Sequence, residues 1–160
     1  MKLLHRFLLE GILGYLLQAV AYVVGMHAIA IQKIEWKSAA IVSVISAVLT
    51  FFIRNCGLFN FGVHTMLVLL LLNAGCIWLC RMSVRRSILG SIVMMVLVLA
   101  SELVNMGILR IFYTTEEINA LFANPIPKAA AAIPGNLLLL LLAVLMYQIQ
   151  RVRRRREAEK

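Results

Sequence analysis

Residues 133–156 read IPGNLLLLLLAVLMYQIQRVRRRR. An apolar run from Ile133 to Ile149 gives way to five arginines within six residues. About 20 mostly apolar residues carry a helix across a bilayer core. A dense basic flank holds the chain at the cytoplasmic face. The stretch therefore reads as a last membrane span followed by a basic cytoplasmic tail over residues 150–160. The composition agrees. Of 160 residues, 62% are hydrophobic and 14% charged, with a mean hydropathy of +0.93. Soluble domains average about 45–50% and about 25%. The chain has no Asp, seven Glu and sixteen Lys plus Arg. In such a chain the net charge of +9 reflects basic residues gathered in cytoplasmic loops, and it gives no ground for a nucleic-acid partner.

Working back from that run, four more spans are expected. They lie at about 7–30, 39–53, 63–79 and 87–111, with 133–149 as the fifth. Glu10 and Gln18 are the polar breaks in the first. Trp36 and Arg54 bracket the second, and Glu102 with Asn105 lies in the fourth. The first run is too long for the h-region of a signal peptide and lacks an A-x-A site before the next charged loop. The expectation is an all-α polytopic membrane helix bundle forming a single integral membrane domain over 1–160, with about five transmembrane helices. TTEEINALFANPIPK, residues 114–128, adds a short helix before the last span. Thr114 precedes Glu117 by three residues, the capping-box spacing. Ile118, Leu121 and Phe122 follow on one face, and Pro125 and Pro127 stop the helix. This reads as an amphipathic helix lying on the membrane surface.

Lysine and arginine counts set the orientation. Five spans put eleven of the sixteen on one side, namely Lys33, Lys37, Arg81, Arg85, Arg86, Arg151, Arg153, Arg154, Arg155, Arg156 and Lys160. The other side receives Lys2, Arg6, Arg54, Arg110 and Lys128. The C-terminus is then cytoplasmic and the N-terminus outside, in the cell membrane. The cytoplasmic basic face offers anionic lipid headgroups a partner, at about 1 kcal/mol per charge.

The same alternation brings a set of polar residues to the outer side. They are Glu10, Arg54, His64, Glu102, Asn105 and Asn136. Glu102 lies sixteen residues past Arg86, about 24 Å of helix, near the far edge of a hydrocarbon core about 30 Å thick. Charged groups at such depth face the bundle and pair. Arg54 offers a fork that suits a carboxylate, and His64 titrates near neutral pH. The layer reads either as a ligand, proton or ion site or as a structural ion-pair network. Cys56 and His64, eight residues apart, lack the support a nucleophile and base would need. Cys76 and Cys80 read as small buried hydrophobes rather than a metal pair or a disulfide. His5 and His27 stand alone. Gly11 with Gly14, and Gly90 with Ser91, suit close helix packing. No cofactor, metal site or catalytic constellation is expected.

Several stretches taken together carry a resemblance: EGILG near the start, KIEWKSA, FFIRNCGLFNFGVHTML, SELVN and FANPIPK. The chain is similar to small multi-span proteins of Gram-positive bacteria whose membrane unit resembles the N-terminal sensor region of GHKL-type histidine kinases. The matching positions are Arg54, Phe61, Gly62, His64 and Thr65 after span two, and Glu102 and Asn105 in span four. The chain departs from those kinases in having no kinase domain after RRRR. The resemblance therefore implies a stand-alone sensor or accessory membrane subunit, without an output activity of its own. The leading expectation is a non-enzymatic membrane sensor or signalling accessory subunit. It would bind a ligand or partner at the outer polar layer and assemble as a homo-oligomer or with another membrane protein. The alternative is a small transporter component or ion-conducting oligomer that uses Glu10 and Glu102.

Overall fold

The computed structural model describes residues 14–55 and 63–158, and all their side chains except those of residues 54, 55, 63–66, 125, 126, 157 and 158. Six helices run through these residues, with no strand among them. They are α1 (Leu17–Ile29), α2 (Trp36–Asn55), α3 (Val63–Trp78), α4 (Val84–Phe112), α5 (Thr115–Ala123) and α6 (Pro125–Ala158). Together they form an all-helical bundle with apolar helices. Among the described residues, three stretches are long and apolar enough to cross a membrane: Trp36–Ile53, Val84–Phe112 and Pro127–Arg156. Two further apolar helices, Gly14–Ile29 and Leu67–Trp78, are shorter.

α1 is the axis of the bundle. A helix that is apolar all round belongs in an interior, and every residue from Ala21 to Ala28 is buried. α2, α3, α4 and α6 all pack against it. The long helices turn the opposite way. Ile41, Val44 and Ile45 of α2, Ile88, Ile92 and Val96 of α4, and Leu137, Leu141 and Leu145 of α6 are all exposed. Surfaces of this kind suit acyl chains and would be a liability in water.

Three of the helix crossings are seated on glycine. A Cβ at Gly25 of α1 would come 2.7 Å from the Met94 methyl carbon of α4, and one at Gly90 of α4 would come 2.7 Å from the Met26 sulfur of α1. The two helices thus exchange a methionine over a glycine. Val42 of α2 sits over Gly75 of α3 in the same way, 2.8 Å from a built Cβ. At the α4–α6 crossing, Gly135 lies against Asn105, whose Cβ would be 3.0 Å away. Lipid offers no hydrophobic drive for helix association, so such close approach is what supplies packing energy.

α1 ends in a paired C-cap. Ile31 N donates to Ala28 O at 3.1 Å and Gln32 N to His27 O at 3.0 Å. The residue at the left-handed position is Ile31, at φ 54°, where glycine is usual. Arg81, in the turn after α3, has φ 51°. A β-branched side chain at positive φ is an outlier, so the Ile31 turn is held under strain by its surroundings.

Two boundaries differ from the sequence reading. The last helix was expected over 133–149 but runs from Pro125 to Ala158. Pro125 stands at the first helical position, where its missing N–H costs nothing. The alanines that follow are strong helix formers, and Pro134 is accommodated inside the helix. The basic stretch from Arg151 to Arg156 is also helical, since arginine near a helix C-terminus complements the dipole. The first expected span begins at residue 7, so its start lies outside the described residues.

The short helix before the last span is present as α5, with Ile118 buried and Leu121 and Phe122 partly so. Its capping box is complete. The Glu117 carboxylate accepts from Thr114 N at 2.8 Å, and Thr114 Oγ1 accepts from Glu117 N at 3.4 Å. The Thr114 N–H and hydroxyl hold the Glu117 carboxyl below its usual range. A depressed folded value means that the stabilisation is complete above the unfolded pKa, about 4.3. It is lost as pH falls through the lower folded value. Protection of residues 115–123 from hydrogen exchange, taken relative to the intrinsic rate at each pH, should therefore fall below about pH 4. Thr114→Ala should be less protected throughout and should flatten that acid limb. An equal acid loss of protection in the variant would show that the cap does not govern α5.

Candidate functional site

Asn136 Nδ2 of α6 donates to Gly14 O at 3.2 Å, tying the start of the α1 segment to the first half of α6. Chain alternation puts the ends of α2 and α4 and the start of α3 at this same end, opposite the arginine run. Three of the expected polar residues are described there. Asn105 donates from Nδ2 to Ala131 O at 2.8 Å, in the turn before Pro134, while its buried Oδ1 has no partner among the described residues. Asn105 and Asn136 thus serve the helix contacts of α6. Glu102 does not join them. Its side chain is exposed and has no polar partner among the described residues. Ser101, one residue before it, is buried and bonds Val98 O at 2.8 Å. A step of one residue turns the helix by about 100°, which carries Glu102 out of the interface. Glu10 lies outside the described residues, as do Cys56 and the side chains of Arg54 and His64.

A second polar layer, not expected from the sequence, lies nearer the arginine end. The hydroxyls of Tyr22 in α1 and Ser91 in α4 are 2.5 Å apart, and Ser91 Oγ lies 3.9 Å from the Met26 sulfur. Ser87 of α4 donates to Asn73 Oδ1 of α3 at 2.8 Å, and Asn73 Nδ2 donates to Leu69 O at 3.1 Å. His27 is fully buried in α1. Its Nδ1 donates to Val23 O at 2.8 Å, while Nε2 has no partner among the described residues. Cys76 and Cys80 are buried free thiols in the same core. No three His, Cys, Asp or Glu among the described residues come together as a metal site would require.

This layer leads to the basic end. Gln32 Nε2 donates to Cys80 O at 2.9 Å, linking the α1–α2 connection to the α3–α4 turn. Tyr147 Oη of α6 accepts from Ile34 N at 3.4 Å. Of the expected basic residues, Arg81, Arg85, Arg86, Arg151, Arg153, Arg155 and Arg156 are exposed and Arg154 is half-buried. Arg86 and Arg154 also reach back to the bundle, to Ala30 O at 3.3 Å and to Gln32 O at 3.4 Å. The chemistry available is that of helix contact and anion attraction. No family model, curated protein or solved structure matches the chain.

Proposed function

We propose that the chain is a non-enzymatic integral membrane sensor or signalling accessory subunit, which docks a partner membrane helix on the half of α4 remote from the arginine run. The observation that carries this reading is the exposed Glu102, without a polar partner among the described residues, on a helix long enough to span the bilayer. Glu102 lies eight residues before Arg110, about 12 Å of helix, which leaves it within hydrocarbon if Arg110 marks the interface. A charged side chain at mid-span costs about 2.5–3.5 kcal/mol on insertion scales, and such residues are covered or paired. Within this chain the carboxylate turns away from the interface that Asn105 occupies. A helix from a second copy or from another membrane protein, carrying a basic or amide group, would satisfy it. Leu103 beside it is exposed, as are Ile111 and Phe112 near the end of the helix, and nothing stands within 4 Å of a Cβ built at Gly107. The resemblance at Glu102 and Asn105 to sensor regions of GHKL-type kinases supports the same reading, as does the distribution of Lys and Arg, which puts the basic end in the cytoplasm.

Glu102→Leu in the full chain tests it. In lipid nanodiscs the variant should lose at least tenfold in self-association or partner co-purification, while the bundle itself keeps or gains thermal stability. An ion-conducting role would leave assembly intact and instead abolish liposome flux in Glu102→Gln. Assembly unchanged in the leucine variant would overturn the docking assignment.

A further inference from the structure

At the arginine end, two guanidiniums from separate helices meet on a three-residue turn. Arg86, near the start of α4, donates Nη1 to Ala30 O at 3.3 Å. Arg154, near the end of α6, donates Nη2 to Gln32 O at 3.4 Å. The turn between those carbonyls is the strained cap at Ile31, and it is fastened to its surroundings by the Gln32–Cys80 bond. Both arginines are thus tied to the same turn.

No carboxylate among the described residues pairs with either arginine, and Glu35 Oε2 accepts instead from Ser38 at 3.1 Å. Both carbonyl bonds lie at the long edge of hydrogen-bond geometry. Arg154 Nε is buried and has no partner among the described residues. A buried guanidinium N–H without an acceptor is costly. An oxyanion at this point would satisfy it. A phosphate suits it best, because the planar fork of arginine binds phosphate oxygens in pairs.

The setting identifies the source of the phosphate. Arg86 stands at the head of a helix whose next turns expose Ile88, Leu89 and Ile92, and below Arg154 α6 exposes Leu145 and Ile149. A headgroup phosphate can occupy the seat while its acyl chains lie along these apolar faces. A free phosphate would gain nothing from them. We infer that Arg86 and Arg154 form a seat for the phosphate of an anionic phospholipid in the leaflet at the basic end of the bundle. The seat lies at the opposite end of the bundle from Glu102 and does not depend on docking there.

The experiment is a titration of the full detergent-solubilised chain with phosphatidylglycerol, read by native mass spectrometry. Phosphatidylcholine and inorganic phosphate are run alongside. Phosphatidylglycerol should bind, and Arg154→Gln and Arg86→Gln should each weaken it about tenfold, about 1.4 kcal/mol. Arg155→Gln removes the same charge from the exposed neighbour and should change affinity less than twofold. Arg154→Lys keeps the charge and the helix but loses the fork and the buried Nε. It should still weaken binding severalfold, so the inference remains testable if the glutamine variant does not fold. Equal losses in Arg154→Gln and Arg155→Gln would mean a diffuse basic surface and overturn the seat. Wild-type affinity in Arg154→Lys would overturn it too. Displacement of the lipid by millimolar inorganic phosphate, or equal binding of phosphatidylcholine, would overturn the assignment to an anionic lipid.

Discussion

Gly25→Leu should prevent the bundle from assembling, and Gly25→Ala should carry an overpacking cost of about 1–3 kcal/mol. A Cβ at residue 25 lands 2.7 Å from the Met94 methyl carbon and 3.4 Å from its Cγ. Methionine normally yields to such crowding by changing rotamer. Here Met94 is fully buried, so its end has no solvent to swing into. The opposing gain is helix propensity, where alanine exceeds glycine by about 1 kcal/mol, so the net effect of the alanine variant is a loss at most sites in that range. Gly90→Ala meets the Met26 sulfur at 2.7 Å and the Met26 backbone Cα at 3.8 Å, so it should behave alike. The pairing also predicts non-additivity. Met94→Ala alone leaves a void, and Gly25→Ala alone overfills; together they should recover most of the lost stability. Thermal or denaturant unfolding of the full chain in one detergent reads all of these. Alanine variants at both glycines with wild-type stability would show that the α1–α4 crossing is looser than it appears.

What could be read from the sequence and what could not divide along a physical line. Depth in the membrane follows from counting along the chain, because each residue adds about 1.5 Å and charged residues mark the interfaces. The helical character of the chain, the capping box at Thr114 and Glu117, and the turn regions near Lys33 and Arg81 were legible that way. Rotation about a helix axis was not. In a soluble helix the polar face identifies the outside, whereas in this bundle Leu103 facing out and Leu139 facing in are chemically the same. Glu102 was therefore placed along its helix but not on its actual face. The central place of α1 was hidden for the same reason, and Gly25 within YVVGMH looked no different from other small residues. Gly90 was anticipated as a close-packing position. Proline at 125 carries two opposite signals, terminator of one helix and first residue of the next, and only the first was read. The inner polar layer was missed because Tyr22, Asn73, Ser87 and Ser91 occur singly in apolar runs. The available signal was the general rule that a polar residue inside a span faces the bundle.

Tyr22→Ala should cost roughly 2–3 kcal/mol, and Tyr22→Phe about 0.6–1.7 kcal/mol, the range of hydrogen bonds between membrane helices. The alanine figure is lower than the roughly 3–5 kcal/mol seen for aromatic truncation in soluble cores. Separated helices remain in lipid, which is as apolar as the core, so the transfer contribution falls away and the cavity contribution stays. Tyr22 is 1% exposed, so its ring fills space that no neighbour in α1 can reoccupy. In Tyr22→Phe the Ser91 hydroxyl loses its 2.5 Å partner but keeps the Met26 sulfur at 3.9 Å, a weak acceptor that softens the loss. The ratio between the two variants decides what the inner layer does. If truncation dominates, the polar pairs pin the rotation of helices that lipid-like packing would otherwise leave degenerate, and the layer is structural. A phenylalanine variant as damaging as the alanine one would mean that the hydroxyl pair carries the crossing. Ser91→Ala should then reproduce the defect, and the Tyr22–Ser91 contact would become the place to look for a conformational link between the docking face of α4 and the basic end.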